Sequence, residues 1–392
     1  MDALICDISA FLYWRTPPVV RLLTSAREDD PLLLSLFNPE RVRNCRRALA
    51  ASSALLGAWA GSSLTRAHYG AAGVALMSAA PLLAGSLDLP VDLLVEEPSQ
   101  RRASRLVRPR VWGAPVPEGA VVDLGRGMGV VAPIVALHQL AGRASPVRTV
   151  LLASELCGSF AMYEPPGPVR ALLQELVDER RLPRLSGWSP ALDARGQISR
   201  VWSRPPLLSV ERLAEWASSS EVVRGRERLA GAVRLVVPAA ASPFEVQAGV
   251  LMGFSPRRGG EGYDGFVHNR RIELPPAAAR IARRSSCVCD LYWEGGEGRR
   301  ALDLECRSSL SHLGESSAIS DADRSAALQL MGIEVVELTY GQLADPARFE
   351  AFSGLVAEKL GVPPRERTAA QRLRQARLRE EVLVDWERLP FV

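Results

Sequence analysis

The sequence predicts an α/β protein in which a C-terminal α/β domain follows an α+β region. Its 392 residues are too many for one ordinary domain, and 47% hydrophobic residues suffice for sizeable cores. From residue 242 onward the patterns become regular. Ser242, Pro243 and Glu245 match a helix N-terminus with a capping box. Two strand patterns, residues 287–293 and 300–306, flank a glycine-rich turn and predict a hairpin.

Four segments follow from the changes in pattern along the chain. Residues 1–150 alternate helical and strand signals and predict an α+β region. Residues 151–235 predict a mostly helical connecting region, and residues 236–362 the α/β domain, with a helix at 321–331, a strand at 333–340 and a helix at 346–360. Residues 363–392 predict a charged helical tail.

Composition restricts the class of protein and its location. The net charge of +4 is compatible with nucleic-acid binding without requiring it. The six cysteines contain no CxxC pair, which favours free thiols in the cytoplasm. The N-terminus lacks the pattern of a signal peptide, and the uncharged residues 70–87 predict a buried helix and no membrane partner.

Acidic side chains mark the candidate site in the C-terminal domain. Asp303 and Glu305 lie two residues apart on one predicted strand and therefore share a face. The hairpin brings Asp290 alongside them, and Glu245 on the leading helix is close enough in the predicted fold to join. Converging carboxylates repel one another unless a hard cation such as Mg²⁺ is bound, and bound Mg²⁺ can position water at a scissile phosphate.

The order of these motifs resembles the PD-(D/E)xK nuclease superfamily, and within it the very-short-patch-repair-like endonuclease domain. The matching residues in 242–362 are Glu245, Asp290, Asp303, Glu305, His312, Asp321, Arg324, Leu328 and Gly332. The resemblance implies a restriction-endonuclease-like fold, a mixed sheet flanked by helices, and Mg²⁺-dependent hydrolysis of DNA. Asp290, Asp303 and Glu305 would then be the metal ligands, with Glu245 and His312 as further catalytic residues and Asp321, Arg324 and Arg307 in support.

The upstream region is similar to AbiEi-type antitoxins and related transcriptional regulators. Residues 78–85, 89–95 and 131–141 carry this second resemblance. It implies a DNA-binding regulator, with a cognate toxin or a second copy of the chain as a possible partner. The superfamily's acid-x-lysine is absent, because Asp303 leads to Glu305 and the chain's one lysine is Lys359. This departure favours a nuclease-like fold that binds DNA without cleaving it.

Structural interpretations stand beside the functional ones. Asp290 and Asp303 are also explained as partners of nearby arginines, Glu245 as a capping residue, His312 as a loop histidine, and Asp321 with Arg324 as a surface ion pair. Seven arginines precede or flank the Asp290 strand and predict either a solvated face or a phosphate-contacting one: Arg257, Arg258, Arg270, Arg271, Arg280, Arg283 and Arg284. An interaction protein unrelated to DNA is a third hypothesis.

Overall fold

The computed structural model describes residues 2–52, 84–96, 105–218, 224–296, 298–307, 315–363 and 366–391, and of residues 315–320 only the backbone. It is a mixed α/β structure in which mixed sheets are flanked by helices. Most of the helix predicted at 70–87 lies outside the described residues. Within them, no helix is both long enough and apolar enough to cross a membrane.

The N-terminal sheet has the strand order β3-β2-β1-β5-β4. Its strands are β1 (Ala3–Ile5), β2 (Val91–Val95), β3 (Val107–Val111), β4 (Val121–Gly125) and β5 (Met128–Val131). Its neighbours in sequence are the helices α1 (Asp7–Arg15), α2 (Pro18–Ser25), α3 (Pro31–Leu36), α4 (Pro39–Ser52), α5 (Pro133–Ala141) and α6 (Pro146–Cys157). Strand β1 pairs in parallel with β5 and antiparallel with β2, so this sheet is mixed.

The connecting segment contains a sheet that the sequence analysis missed. Its strands β6 (Phe160–Met162), β7 (Ser189–Leu192) and β8 (Ile198–Ser203) pair antiparallel in the order β6-β8-β7. The helices α7 (Gly167–Asp178), α8 (Val210–Ser218) and α9 (Arg226–Val233) complete the segment. The prediction of a mostly helical segment was therefore incomplete. Strands this short carry little periodicity, and Pro190 on the edge strand β7 reads as a loop signal.

The C-terminal sheet has the order β12-β11-β10-β9. Its strands are β9 (Phe266–Glu273), β10 (Ser286–Trp293), β11 (Leu302–Arg307) and β12 (Glu334–Thr339). Strand β10 is antiparallel to both neighbours, and β12 is parallel to β11. The accompanying helices are α10 (Pro243–Gly253), α11 (Pro276–Ala282), α12 (Glu315–Leu330), α13 (Tyr340–Ala344), α14 (Pro346–Lys359) and α15 (Ala369–Val382).

Helices cover both faces of this sheet. Leu291 and Leu304 face the side of α10, in the cluster that contains its Val246 and Val250. Cys289 packs on the opposite side with Leu328 of α12, in a cluster that also includes Ala278 of α11. The predicted hairpin, strand β12 and helix α14 are confirmed to within two residues, and the predicted helix between β11 and β12 is confirmed but begins six residues earlier, at Glu315. Strand β9 and helix α11 are additions to the prediction.

The C-terminal segment is helical, as predicted, and it packs against the body of the protein. One hydrophobic cluster includes Ile5 of the first sheet, Leu302 of the third, and Trp386 near the end of the chain. The buried Arg15 guanidinium pairs with the buried Glu155 and donates from Nη2 to the Trp386 carbonyl at 3.0 Å. The segment boundaries at 150, 235 and 362 stay a prediction.

Candidate functional site

The predicted carboxylates meet where β10 and β11 separate, and Asp290 lies at this point. Cys289 and Tyr292 pack on one side of the sheet, whereas Leu291 packs on the other, so the regular alternation of β10 is broken at Asp290. The Asp290 Oδ2 accepts a hydrogen bond from the Cys306 amide of β11 at 2.8 Å. The carboxylate thus takes the place of a backbone partner at the end of the ladder.

Arg324 of α12 pairs with the two acids of β11. Its guanidinium donates to Glu305 and to the Val288 carbonyl, and its Nη2 lies 3.5 Å from Oδ2 of Asp303. The Asp303 side chain is fully buried, and when it is protonated it hydrogen-bonds to the neighbouring Glu305 carboxylate. The side chains of Asp303 and Glu305 share a face of β11, as their spacing predicted, and the Arg324 side chain covers this face.

Glu245 is committed to the start of α10. Its Oε1 accepts from the Ser242 hydroxyl at 2.8 Å, and its Oε2 accepts from the Ala241 amide at 2.7 Å. Asn269 of β9 adds a third donor to Oε2 at 2.6 Å, and the Ser242 hydroxyl accepts from the Glu245 amide at 3.2 Å. The capping interpretation is therefore confirmed, and both oxygens of this carboxylate are occupied.

The predicted ion pair between Asp321 and Arg324 is wrong. Asp321 pairs with Arg307, which also donates to Glu337 at 2.6 Å. Arg324 points towards the sheet instead, because its positive charge is attracted more strongly by the buried Glu305 and Asp303 than by the partly exposed Asp321. His312 lies outside the described residues.

We call Glu245, Asp290, Asp303 and Glu305 the acidic cluster. Burial and mutual repulsion determine which of these carboxyl groups are ionised. Burial raises the pKa of Asp290, and the neighbouring Glu305 and Glu245 raise it further. Burial and the neighbouring Glu305 raise the pKa of Asp303 to about 10. Burial opposes the ionisation of Glu305 as well, but Arg324 outweighs it and holds the pKa of Glu305 below its ordinary value. At neutral pH the charged core of the site is therefore the pair of Glu305 with Arg324, next to protonated Asp303.

This arrangement does not fit a bound Mg²⁺. Metal ligands have to be open to the ion, whereas Asp303 is fully buried and Arg324 pairs with both Glu305 and Asp303. Asp290 and Glu245 already accept backbone hydrogen bonds. Among the described residues, no group of three or more His, Cys, Asp and Glu side chains is placed to hold a metal ion.

A buried histidine next to the cluster was missed by the sequence analysis. His268 of β9 packs beneath α10, where a Cβ on Gly249 would lie 2.6 Å from its Nε2. Burial lowers the pKa of His268 to about 4, against the opposing effect of the Asp290 backbone. A glycine such as Gly249 inside a helix indicates that another group approaches the backbone closely. Because β9 was not predicted, the sequence did not show that this group is His268.

The seven predicted arginines divide into two groups. Arg270, Arg280 and Arg283 are exposed along β9, which pairs with β10, and along α11, which packs against α12, and Arg271 pairs there with Glu273. Burial raises the pKa of the Cys287 thiol, and the charges of Arg324 and Arg284 lower it in part, which places Arg284 in the same neighbourhood. Arg257 and Arg258 lie elsewhere, in the 3-10 helix Pro256–Arg258 that packs against α15.

Comparison of the chain with protein-family models, with curated proteins and with solved structures finds no significant match in any of the three. Both family resemblances therefore stay predictions.

Proposed function

We propose that this chain binds DNA through a restriction-endonuclease-like C-terminal domain whose acidic cluster is closed by Arg324, so that the bound DNA is not cleaved. The order of helix, strands, crossover helix and strand in residues 243–339 supports the fold. It is the order that the resemblance to the PD-(D/E)xK superfamily implies. The proposal places the protein in the cytoplasm, in agreement with its free cysteines.

The position of Arg324 carries the proposal. Hydrolysis of a phosphodiester by a metal site of this kind needs ionised carboxylates that hold a cation and orient water. Here a guanidinium neutralises Glu305, and Asp303 keeps its proton. An arginine does not readily act as a general base.

Lys359 does not replace the missing lysine. Its Nζ pairs with Glu334 at 2.5 Å, and Glu334 lies opposite Leu302 at the start of β11. Glu305 is three residues further along that strand, about 10 Å away at the rise of a β-strand. The lysine is therefore engaged with Glu334 at the first residue pair of this ladder, and it pairs with neither Asp303 nor Glu305.

The arginines beside the cluster support DNA as the partner. Arg270, Arg280 and Arg283 are exposed, and no ion pair is formed by any of these three within the described residues. Exposed guanidinium groups bind phosphate oxygens with two parallel hydrogen bonds, and such contacts supply most sequence-independent affinity for DNA. A regulator related to AbiEi-type antitoxins would use such binding at a promoter, with a cognate toxin or a second copy as its protein partner.

The test combines binding and cleavage on the same preparation. We expect a labelled duplex to bind with an affinity that falls as salt rises, and supercoiled plasmid to stay intact with Mg²⁺ or Mn²⁺. Nicking by the wild type that Asp290→Ala abolishes would contradict the non-hydrolytic proposal. Failure to bind duplex or single-stranded DNA at low salt would contradict the DNA proposal and favour an interaction protein.

Mg²⁺-dependent hydrolysis is the second candidate function. The observation that favours it is the electrostatic coupling of Asp290, Glu305 and Glu245, which places three acids from three elements at one point. If Arg324 rotated away, Asp290, Asp303 and Glu305 would be the residues to hold the ion, which would supply an activated water. The plasmid assay described above distinguishes this candidate from the first.

A further inference from the structure

A second basic surface lies at the far end of α10 from the acidic cluster. We call it the α15 surface and define it by Arg257, Arg258, Arg374 and Arg377. All four side chains are exposed, and none forms an ion pair within the described residues. The cluster residue Glu245 lies in the first turn of α10, and the 3-10 helix Pro256–Arg258 follows its last turn. The length of α10 separates the two sites by about 16 Å.

A close backbone contact at Gly259 brings the two halves of this surface together. Gly259 has a φ of +94°, and a Cβ there would lie 2.4 Å from the Arg374 carbonyl oxygen. A Cβ on Gly260 would lie 2.1 Å from the Phe254 carbonyl oxygen. Because a side chain at Gly259 would collide with the backbone of α15, the turn lies directly against that helix, and Gly260 lets the turn fold back on Phe254. Arg258 is therefore kept beside Arg374 by a close backbone contact.

The buried side of α15 directs Arg374 and Arg377 outward. Leu378 and Val382 pack into the core, and Gln375 donates to the buried Glu261 at 2.9 Å. At 100° per residue, Arg374 and Arg377 lie one turn apart and about 60° from each other around the helix. Arg374 is at the edge of the buried side, about 40° from Leu378, and Arg377 is further from it; both side chains are exposed.

The acids near this helix are mostly engaged elsewhere. Glu381 accepts from the Ser145 hydroxyl, and Glu261 is held by Arg367 and by Ser353, the latter at 2.8 Å. Glu380 is exposed one turn after Arg377. Four guanidinium groups thus face solvent with one exposed carboxylate close by on the same helix.

We propose that the α15 surface binds the phosphate backbone of a nucleic acid, as a second contact region beyond the arginines near the acidic cluster. This inference rests on the proposed DNA-binding function. The planar guanidinium matches phosphate oxygens, and clustered unpaired arginines are the electrostatic footprint of backbone recognition. The exposed Leu373 stands alone among these charges and forms no apolar groove of the kind that an amphipathic peptide needs.

The experiment compares two charge-reversed double variants of the full chain. Arg374→Glu with Arg377→Glu changes the α15 surface. Arg43→Glu with Arg47→Glu makes the same change of charge on α4, where both arginines are exposed and without an ion pair within the described residues. Binding of a labelled duplex is measured by fluorescence anisotropy over a salt series, and circular dichroism verifies that each variant is folded.

We expect the α15 variant to bind at least about tenfold more weakly and to lose about two units from the slope of log K against log salt, because two phosphate contacts are removed. The α4 variant keeps the slope of the wild type. Equal losses in both variants, or no loss in the α15 variant, would overturn the inference while the DNA-binding function stands. A wild type that does not bind overturns both. Tighter binding of poly-glutamate than of DNA at the same surface would assign it to an acidic protein partner and also overturn the inference.

Discussion

Replacing Arg324 with glutamine tests the central claim that this guanidinium neutralises the acidic cluster. The side chain is 14% exposed, and it faces Glu305 at 10% and Asp303 at 0%. Removal of one partner from a buried ion pair leaves the other charge uncompensated and typically costs about 3–5 kcal/mol of folding free energy. We expect a loss of that size near pH 8.

The same substitution makes stability depend on pH in a direction that can be stated in advance. In the wild type, Arg324 holds the pKa of Glu305 in the folded protein below its value in the unfolded chain. The ion pair therefore stabilises the fold fully at pH values above the unfolded pKa. This stabilisation is lost as the pH falls through the folded pKa. Without Arg324, burial raises the pKa of Glu305, and Glu305 then favours the folded state only when protonated. The difference between variant and wild type should therefore be smaller at pH 5 than at pH 8.

Urea unfolding followed by circular dichroism at both pH values measures this difference. Arg324→Gln combined with Glu305→Gln is the control, because removal of both charges should recover a large part of the loss. A cost below about 1 kcal/mol at pH 8, or an equal cost at pH 5 and pH 8, would refute the assignment of Arg324 to the cluster.

Three further predictions concern buried charged and titratable groups. Asp303→Asn should leave stability at pH 7 unchanged within about 1 kcal/mol or raise it, because Asp303 is already neutral with a pKa of about 10. Asp303→Ala should destabilise the protein, and urea midpoints that rank the two variants the other way would contradict this. His268 should make the protein acid-labile: its folded pKa of about 4 lies below the unfolded value of about 6.5, so about 3 kcal/mol of stability is lost as pH falls between these values. His268→Gln should flatten that part of the pH profile in denaturation experiments, and an unchanged profile would assign the acid lability elsewhere. Glu155→Gln should cost about 3–5 kcal/mol of folding free energy, because Arg15 and Glu155 are both buried. Since Arg15 also donates to the Trp386 carbonyl, limited proteolysis of this variant should cleave the C-terminal segment first. A proteolysis pattern identical to that of the wild type would exclude this anchoring role.

Several elements were predictable from the sequence because their signals are local. Ser242 caps its helix as predicted, because its hydroxyl accepts from the Glu245 amide within one turn. The Glu245 side chain reaches the Ser242 hydroxyl and the Ala241 amide, and not the Ser242 amide that a full capping box requires. Strands β10 and β11 carry apolar residues in short runs on either side of a glycine turn, and they pair antiparallel as expected. The common face of Asp303 and Glu305 followed from strand periodicity alone. Local hydrogen bonding and a period of two are properties of neighbouring residues, which a sequence displays directly.

The tertiary structure determined which charged side chains form ion pairs. The spacing left Arg324 with two interpretations, a supporting residue of the site or the partner of Asp321 three residues away. In the structure it pairs with Glu305 and Asp303, 19 and 21 positions earlier in the chain. Strand β9 brings His268 against Gly249 and Asn269 against Glu245, contacts that no spacing in the chain indicates. By itself the sequence determined the α/β class, the hairpin and the acids it carries. The protonation of Asp303 and the closing of the cluster by Arg324 depend on burial and on distances across the fold, because desolvation and Coulomb energy act through space and not along the chain.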